Sequence, residues 1–138
     1  MNNKMELHFR AYPENESFAR MVISAFLVQK NPSLSSVSEV RTAVSEAVTN
    51  TIVHAYRNTG DGNVILRAEI MDDTLTIEVE DYGCGIDDIQ QAMQPFYTSL
   101  PNEERTGIGF ALMQSFMDNV EVSSAHNSGT CVKMMKRL

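Results

Sequence analysis

The sequence predicts an α+β domain, a two-layer sandwich in which helices cover one face of a mainly antiparallel sheet. Three observations carry this reading. First, short runs alternate apolar and polar residues, as in Met5, Leu7, Phe9 and Ala11, or Val64, Leu66, Ala68 and Ile70, the period of a half-buried strand. Second, the segments between them repeat apolar residues at steps of three and four, the period of a helix with one buried stripe. Third, Met71-Asp72-Asp73-Thr74 and Asn127-Ser128-Gly129 each separate two strand-like runs. Such hairpins join antiparallel strands. The tally is five strands and about four helices, which fits helices layered on one sheet face.

In chain order, the first strand ends at Pro13-Glu14-Asn15-Glu16. A helix follows with Phe18, Met21, Val22, Ala25 and Phe26 as its apolar face and Arg20 exposed, and Asn31-Pro32-Ser33 ends it. Ser36-Val37-Ser38-Glu39 has the form of a capping box and predicts the start of a central helix. Its stripe is Val40, Ala43, Val44, Ala47, Val48, Thr51, Ile52 and Ala55, and it runs to about Tyr56 before Asn58-Thr59-Gly60-Asp61-Gly62. The strand through Leu75, Ile77 and Val79 leads directly into Glu80 to Ile86. A short helix is expected around Asp87 to Met93, then a long functional loop from Phe96 to Thr106, which has no period and contains Pro101. Phe110, Met113, Phe116 and Met117 mark a further helix from Gly109. Val120 and Val122, then Val132 and Met134, mark the last hairpin.

With 138 residues, the chain is the size of one domain. A net charge of −7 excludes a basic nucleic-acid footprint. Cys84 and Cys131 lie far apart without metal-ligand spacing and read as reduced thiols. The first residues, MNNKMELHFRAY, lack an apolar signal core, and no apolar run approaches membrane-spanning length. Together these features predict a cytoplasmic protein.

Four short segments carry candidate chemistry. Glu46 and Asn50 lie one turn apart on the central helix, so both side chains leave the same face. A carboxylate there can take a hydroxyl proton, and an amide oxygen can help hold a hard cation such as Mg²⁺. Taken alone, such a pair is more often a solvated helix face. Asp81 closes a strand and precedes Gly83 and Gly85. It can accept from an exocyclic amine such as that of adenine, or simply cap a tight turn. Arg105-Thr106-Gly107-Ile108-Gly109-Phe110 leads into a helix, where bared N–H groups and a guanidinium suit phosphate oxygens. The spacing is neither a P-loop nor a Rossmann fingerprint, and an ordinary glycine-rich helix entry is the alternative. Gly129-Thr130 opens the last strand, and its hydroxyl can orient Asp81 or serve the turn. His8, His54 and His126 are scattered and suggest no ligand set.

In this order the segments resemble the N, G1, G2 and terminal G/T boxes of the GHKL ATPase superfamily. Within it, NESFAR at 15–20, SEAVTN at 45–50, DYGCGI at 81–86 and ERTGIGFALMQSFMD at 104–118 resemble the small serine-kinase anti-sigma factors of spore-forming bacteria. The resemblance spans the whole chain, 1–138, as one domain, and implies the Bergerat type of ATP-binding sandwich with a mixed, mainly antiparallel sheet. It implies ATP and Mg²⁺ as cofactors, with Glu46 and Arg105 catalytic and Asn50 on the metal. Asp81 would accept the adenine amine, supported by Thr130, with Gly83, Gly85 and Ile86 shaping the base pocket. Thr98, Ser99, Arg105, Thr106, Gly107, Gly109 and Phe110 would form the lid and phosphate cradle. Relatives often carry lysine where this chain has Leu100, which removes one cation from that lid. By the same resemblance Arg20 would contact the protein partners.

The implied protein is a homodimer with no direct nucleic-acid or membrane contact. It would hold a sporulation sigma factor of the F type and phosphorylate a serine of the small anti-anti-sigma protein that releases it. The chain offers no convincing serine acceptor or phospho-accepting helical hairpin of its own. Two alternatives stay open from the residues: a non-catalytic nucleotide sensor that binds a sigma factor, and a stress-response anti-sigma kinase.

Overall fold

A computed structural model describes residues 2–86, 93, 109–124 and 128–138. Its elements are β1 (Asn3–Arg10), α1 (Glu14–Val28), α2 (Leu34–Asn50), a π-helical turn (Thr51–Ala55), β2 (Asn63–Met71), β3 (Thr74–Asp81), α3 (Gly109–Phe116), β4 (Asn119–Ser124) and β5 (Thr130–Arg137). The strands form one sheet in the order β1-β2-β3-β5-β4. Every neighbouring pair is antiparallel, so no mixed pairing occurs among the described strands.

Alternation sorts each strand into two faces. Val64, Leu66, Ala68 and Ile70 of β2, Leu75, Ile77 and Val79 of β3, and Val132 and Met134 of β5 are buried in one core with Ile23, Leu27, Val40, Val44 and Met113 of the helices. Fully burying each such aliphatic side chain stabilises the fold by about 1.5–3 kcal/mol, so this layer is what holds the sheet to the helices. The helix-facing rows end in buried polar groups: Asp81 on β3 stands opposite Thr130 on β5, and Lys136 ends the β5 row. On the other face Arg67 bridges Glu6 at 2.9 Å and Glu80 at 3.0 Å. There, burial and the neighbouring Glu78 and Glu80 carboxylates push the Cys131 thiol up to about 11, which leaves it a poor nucleophile.

Three local expectations are corrected. Helix α1 buries Ala19, Ile23, Phe26 and Leu27, whereas Phe18 and Ala25 are exposed and Met21 is 71% exposed. The helix is apolar on more than one side, so tertiary docking chose the face. Helix α2 starts at Leu34, and its N-cap is Ser33, whose hydroxyl accepts the Ser36 N–H at 3.1 Å. In a serine-rich stretch several residues can cap, and the cap that frees Val37 and Val40 for the core side lies one turn earlier than the capping box predicted. The central helix also ceases to be α-helical at Asn50. The next five residues make a π turn, in which the Tyr56 N–H donates to Thr51 O at 3.1 Å. Arg57 and Asn58 then adopt positive φ, 53° and 61°, and turn the chain toward β2. The short helix expected around 87–93 lies outside the described residues except for Met93, and the 96–106 loop lies wholly outside them.

Candidate functional site

The site is assembled at the C-terminal end of α2. Glu46 and Asn50 are both half-buried there, and α3 begins against them. A methyl group built on Gly109 would stand 3.0 Å from Glu46 Oε2 and 3.3 Å from Asn50 Nδ2. A side chain at 109 would therefore press on both groups, and glycine lets the helix start approach them. Phe110, the next residue, is half-buried and packs on the core.

One residue beyond Asn50, the geometry connects to the end of β3. The Thr51 hydroxyl donates to Asp81 Oδ2 at 3.3 Å and lies equally far from Ala47 O. The Gly83 N–H donates to Asp81 Oδ1 at 2.9 Å, and the Thr130 N–H also reaches the carboxylate. Asp81 is only 4% exposed, and burial raises its pKa above the ordinary aspartate value, opposed by these three donors. An ionised carboxylate offers about four lone-pair sites. Among the described residues three donors reach it.

The glycine turn after Asp81 is wedged against the π turn. A methyl group at Gly83 would come within 2.4 Å of Ala55 O, and the Cys84 N–H donates to that same carbonyl at 3.2 Å. The irregular end of α2 thus supplies the surface on which the turn rests; π turns of this kind recur at functional sites. Gly85 has φ 77°, a conformation that suits glycine. Ile86 is tied in by its N–H, which donates to Ser124 Oγ at 2.7 Å. Ser124 donates to Gly129 O at 2.8 Å, and its oxygen lies 2.9 Å from the Thr130 hydroxyl. Tyr56 braces the rim: its hydroxyl accepts the Tyr82 N–H and donates to Asn63 O, both at 2.8 Å. Burial raises its pKa.

Of the residues singled out from sequence, Glu46, Asn50, Asp81, Gly83, Gly85, Ile86, Gly109, Phe110 and Thr130 lie in this region. Thr98, Ser99, Arg105, Thr106 and Gly107, with Leu100, lie outside the described residues. Arg20, expected to be exposed, is half-buried on α1, with Nε 3.0 Å from Glu16 Oε1. Glu16 in turn accepts from Ser45, the residue before Glu46. Sequence reasoning missed Thr51 and Ser124. Thr51 sits in an otherwise apolar stripe, where a β-branched residue passes for valine. Its position directly after Asn50 was the available signal.

A profile of the histidine kinase-like ATPase domain matches residues 9–136. The chain belongs to that family, and ATP is the ligand that membership implies. More narrowly, it is similar to proteins named anti-sigma F factor. It is 49% identical to the one from Clostridium beijerinckii over 136 residues, covering 99% of this chain and 95% of that protein. It is 51% identical to the one from Caldanaerobacter subterraneus subsp. tengcongensis over 135 residues, covering 98% and 94%. Two solved structures share the fold. The RsbU and RsbW domains of Rv1364c from Mycobacterium tuberculosis superpose with a TM-score of 0.69 at 15% identity, covering 99% of this chain and 32% of that one. The catalytic domain of the histidine kinase ThkA gives a TM-score of 0.60 at 13% identity, covering 96% and 95%.

The residues present suit the implied ligand. A buried carboxylate acceptor at Asp81 suits an N–H of an adenine amine, whereas guanine presents a carbonyl at the equivalent position. The oxygens of Glu46 and Asn50 are hard donors of the kind that Mg²⁺ takes. No helix among the described residues is long and apolar enough to cross a membrane.

Proposed function

We propose that this chain is an anti-sigma factor of the sporulation type that is also an ATP-dependent serine protein kinase. It sequesters a sigma factor and phosphorylates, and thereby inactivates, the small anti-anti-sigma protein that displaces it. The reading is supported by near full-length identity of about half to anti-sigma F factors. The observation that carries the catalytic part is Gly109 pressed against Glu46 and Asn50, with Thr51 beside them bonded to Asp81.

Asp81 holds the adenine amine, steadied by Thr51, Gly83 and Thr130. Asn50 would hold Mg²⁺, and Gly109, with Arg105, Thr106 and Gly107 before it in the chain, would serve the phosphates. When bound, ATP supplies the phosphoryl group that passes to a serine hydroxyl of the partner and departs as ADP. Glu46 takes the proton of that hydroxyl. Positioning and charge neutralisation are the main needs of such a transfer, and Glu46 contributes the base.

Two surfaces support protein partners. The exposed apolar stripe of Phe18, Met21, Ala25 and Val28 runs along one side of α1, and Met21 at 71% exposure is costly to leave in water. The homodimer that the resemblance implies is kept as part of this reading. Between α1 and α2, a depression of about 250 Å³ is lined by Arg20, Ser38, Arg41, Thr42 and Ser45. In a chain of net charge −7 this cationic patch suits an acidic group of a partner, with Arg20 as the contact shared by both proteins.

The test is incubation of the purified chain with labelled ATP, Mg²⁺ and a candidate antagonist, followed by mass spectrometry. One serine of the antagonist gains phosphate. In Glu46→Ala, transfer falls by about 10²-fold or more while ATP binding persists. Binding without transfer in the unmutated chain would leave a nucleotide-sensing sigma binder instead. Unchanged transfer in Glu46→Ala would place the base elsewhere.

A further inference from the structure

Among the described residues Lys136 is the buried cation, 9% exposed, at the opposite end of the β5 row from Thr130. Its ammonium donates to Glu39 Oε2 of α2 at 2.8 Å and to the carbonyl of Phe116, the last residue of α3, at 2.7 Å. One side chain thus fastens the sheet to both helices of the site. The Phe116 carbonyl is one of the helix-end acceptors left without an intrahelical donor, and a cation there also complements the helix dipole.

The other end of α3 is Gly109, against Glu46 and Asn50. Helix α3 spans eight residues, about 12 Å, and Glu39 precedes Glu46 by seven residues, about 10.5 Å along α2. The two helices therefore run antiparallel, with matched lengths between two points of attachment. At one point an ammonium holds the carbonyl end of α3. At the other, the glycine end meets the carboxylate and amide. A two-turn helix is stiff along its axis, so a slide at Phe116 is delivered almost unchanged to Gly109.

We propose that Lys136, with Glu39, is a positioning residue for the phosphate end of the site: it sets the axial placement of α3 against Glu46 and Asn50. An ion pair with one partner buried and the other partly exposed, as here, is a modest source of stability. A methionine would fill the same space, but it would not hold a carbonyl at a fixed distance from a carboxylate. The purine end makes no use of α3, because Asp81 is held by Thr51, Gly83 and Thr130, which lie after α2, after β3 and at the start of β5.

The inference rests on the nucleotide reading above, and the test separates the two. Lys136→Met, Lys136→Arg and Glu39→Gln are compared with the unmutated chain at a temperature where each is fully folded. The readouts are ATP and adenosine affinity, phosphoryl transfer, and amide hydrogen exchange across 109–117 without nucleotide. In Lys136→Met we expect ATP affinity to fall about 5- to 10-fold and kcat about 10-fold. Adenosine affinity should hold within about 2-fold, and exchange should rise in α3 ahead of β2 and β3. Lys136→Arg, which keeps a donor to both acceptors, should recover most of the loss. Glu39→Gln, at a partly exposed position, should reproduce part of it and serves if Lys136→Met does not fold. Equal loss of ATP and adenosine, or unchanged ATP affinity with unchanged exchange in α3, would overturn the assignment. If the unmutated chain binds no ATP, the functional reading fails, and the exchange pattern alone decides the strut.

Discussion

Replacing Asp81 with asparagine should move stability and ligand affinity in opposite directions. Burial raises the Asp81 pKa, so the folded chain binds this proton more tightly than the unfolded chain does. The associated stabilisation is fully present below the unfolded value, near 3.8, and is lost as pH rises through the folded value. At neutral pH the buried charge is therefore a net cost to the fold. The amide of Asp81→Asn is isosteric; its oxygen has two lone pairs for the Gly83 and Thr130 N–H donors, and the Thr51 hydroxyl can turn to accept from its NH₂. The variant should be at least as stable as the parent at pH 7, and its advantage should vanish as pH falls below about 4. Urea melts of both chains across that range give the difference directly. ATP affinity should fall by roughly 10- to 150-fold, the equivalent of about 1.5–3 kcal/mol for a charged hydrogen bond, as read by calorimetry. A variant that is less stable by the same amount at every pH would refute the burial argument. Unchanged ATP affinity would remove Asp81 from the purine site.

Thr51→Val keeps shape and deletes one donor to a buried carboxylate, so stability and ATP affinity should each fall by about 1 kcal/mol, measured by urea melts and calorimetry. Gly83→Ala drives a methyl group to 2.4 Å from Ala55 O, a backbone atom that cannot swing away; chemical denaturation should show a loss of about 1–3 kcal/mol or more. Gly85→Ala, by contrast, should pay chiefly for its positive φ of 77°, about 1–2 kcal/mol by the same melts.

Much of this architecture is legible in residue patterns because the sheet buries one face. Val64 to Ile70 and Leu75 to Val79 alternate cleanly, and a slip of one residue would expose the whole row. The central stripe is equally plain, since Val40, Ala43, Val44, Ala47 and Val48 are all buried. Helix α1 was not legible in the same way. Its apolar residues surround the axis, and only docking against α2 and the sheet selects Ile23 and Leu27 over Met21 and Val28. Nor does a local pattern announce the π turn, whose Ala55 carbonyl accepts the Cys84 N–H of the turn after Asp81. Glu46 and Asn50 are legible as a carboxylate and an amide one helical turn apart, and Asp81 as a strand-ending carboxylate before Gly83 and Gly85. The roles of Thr51 and Lys136 depend on contacts 30 and 97 residues away in the chain.

The central claim is that segments far apart in sequence form one nucleotide cleft. Amide shifts of the labelled chain titrated with ATP and Mg²⁺ test it most directly. The account predicts saturable shifts at Thr51, Asp81 to Ile86, Gly109 and Thr130, with β1 silent and GTP far weaker. Shifts confined to β1 and the outer sheet face, or none at Asp81 and Gly109 at saturation, would contradict it.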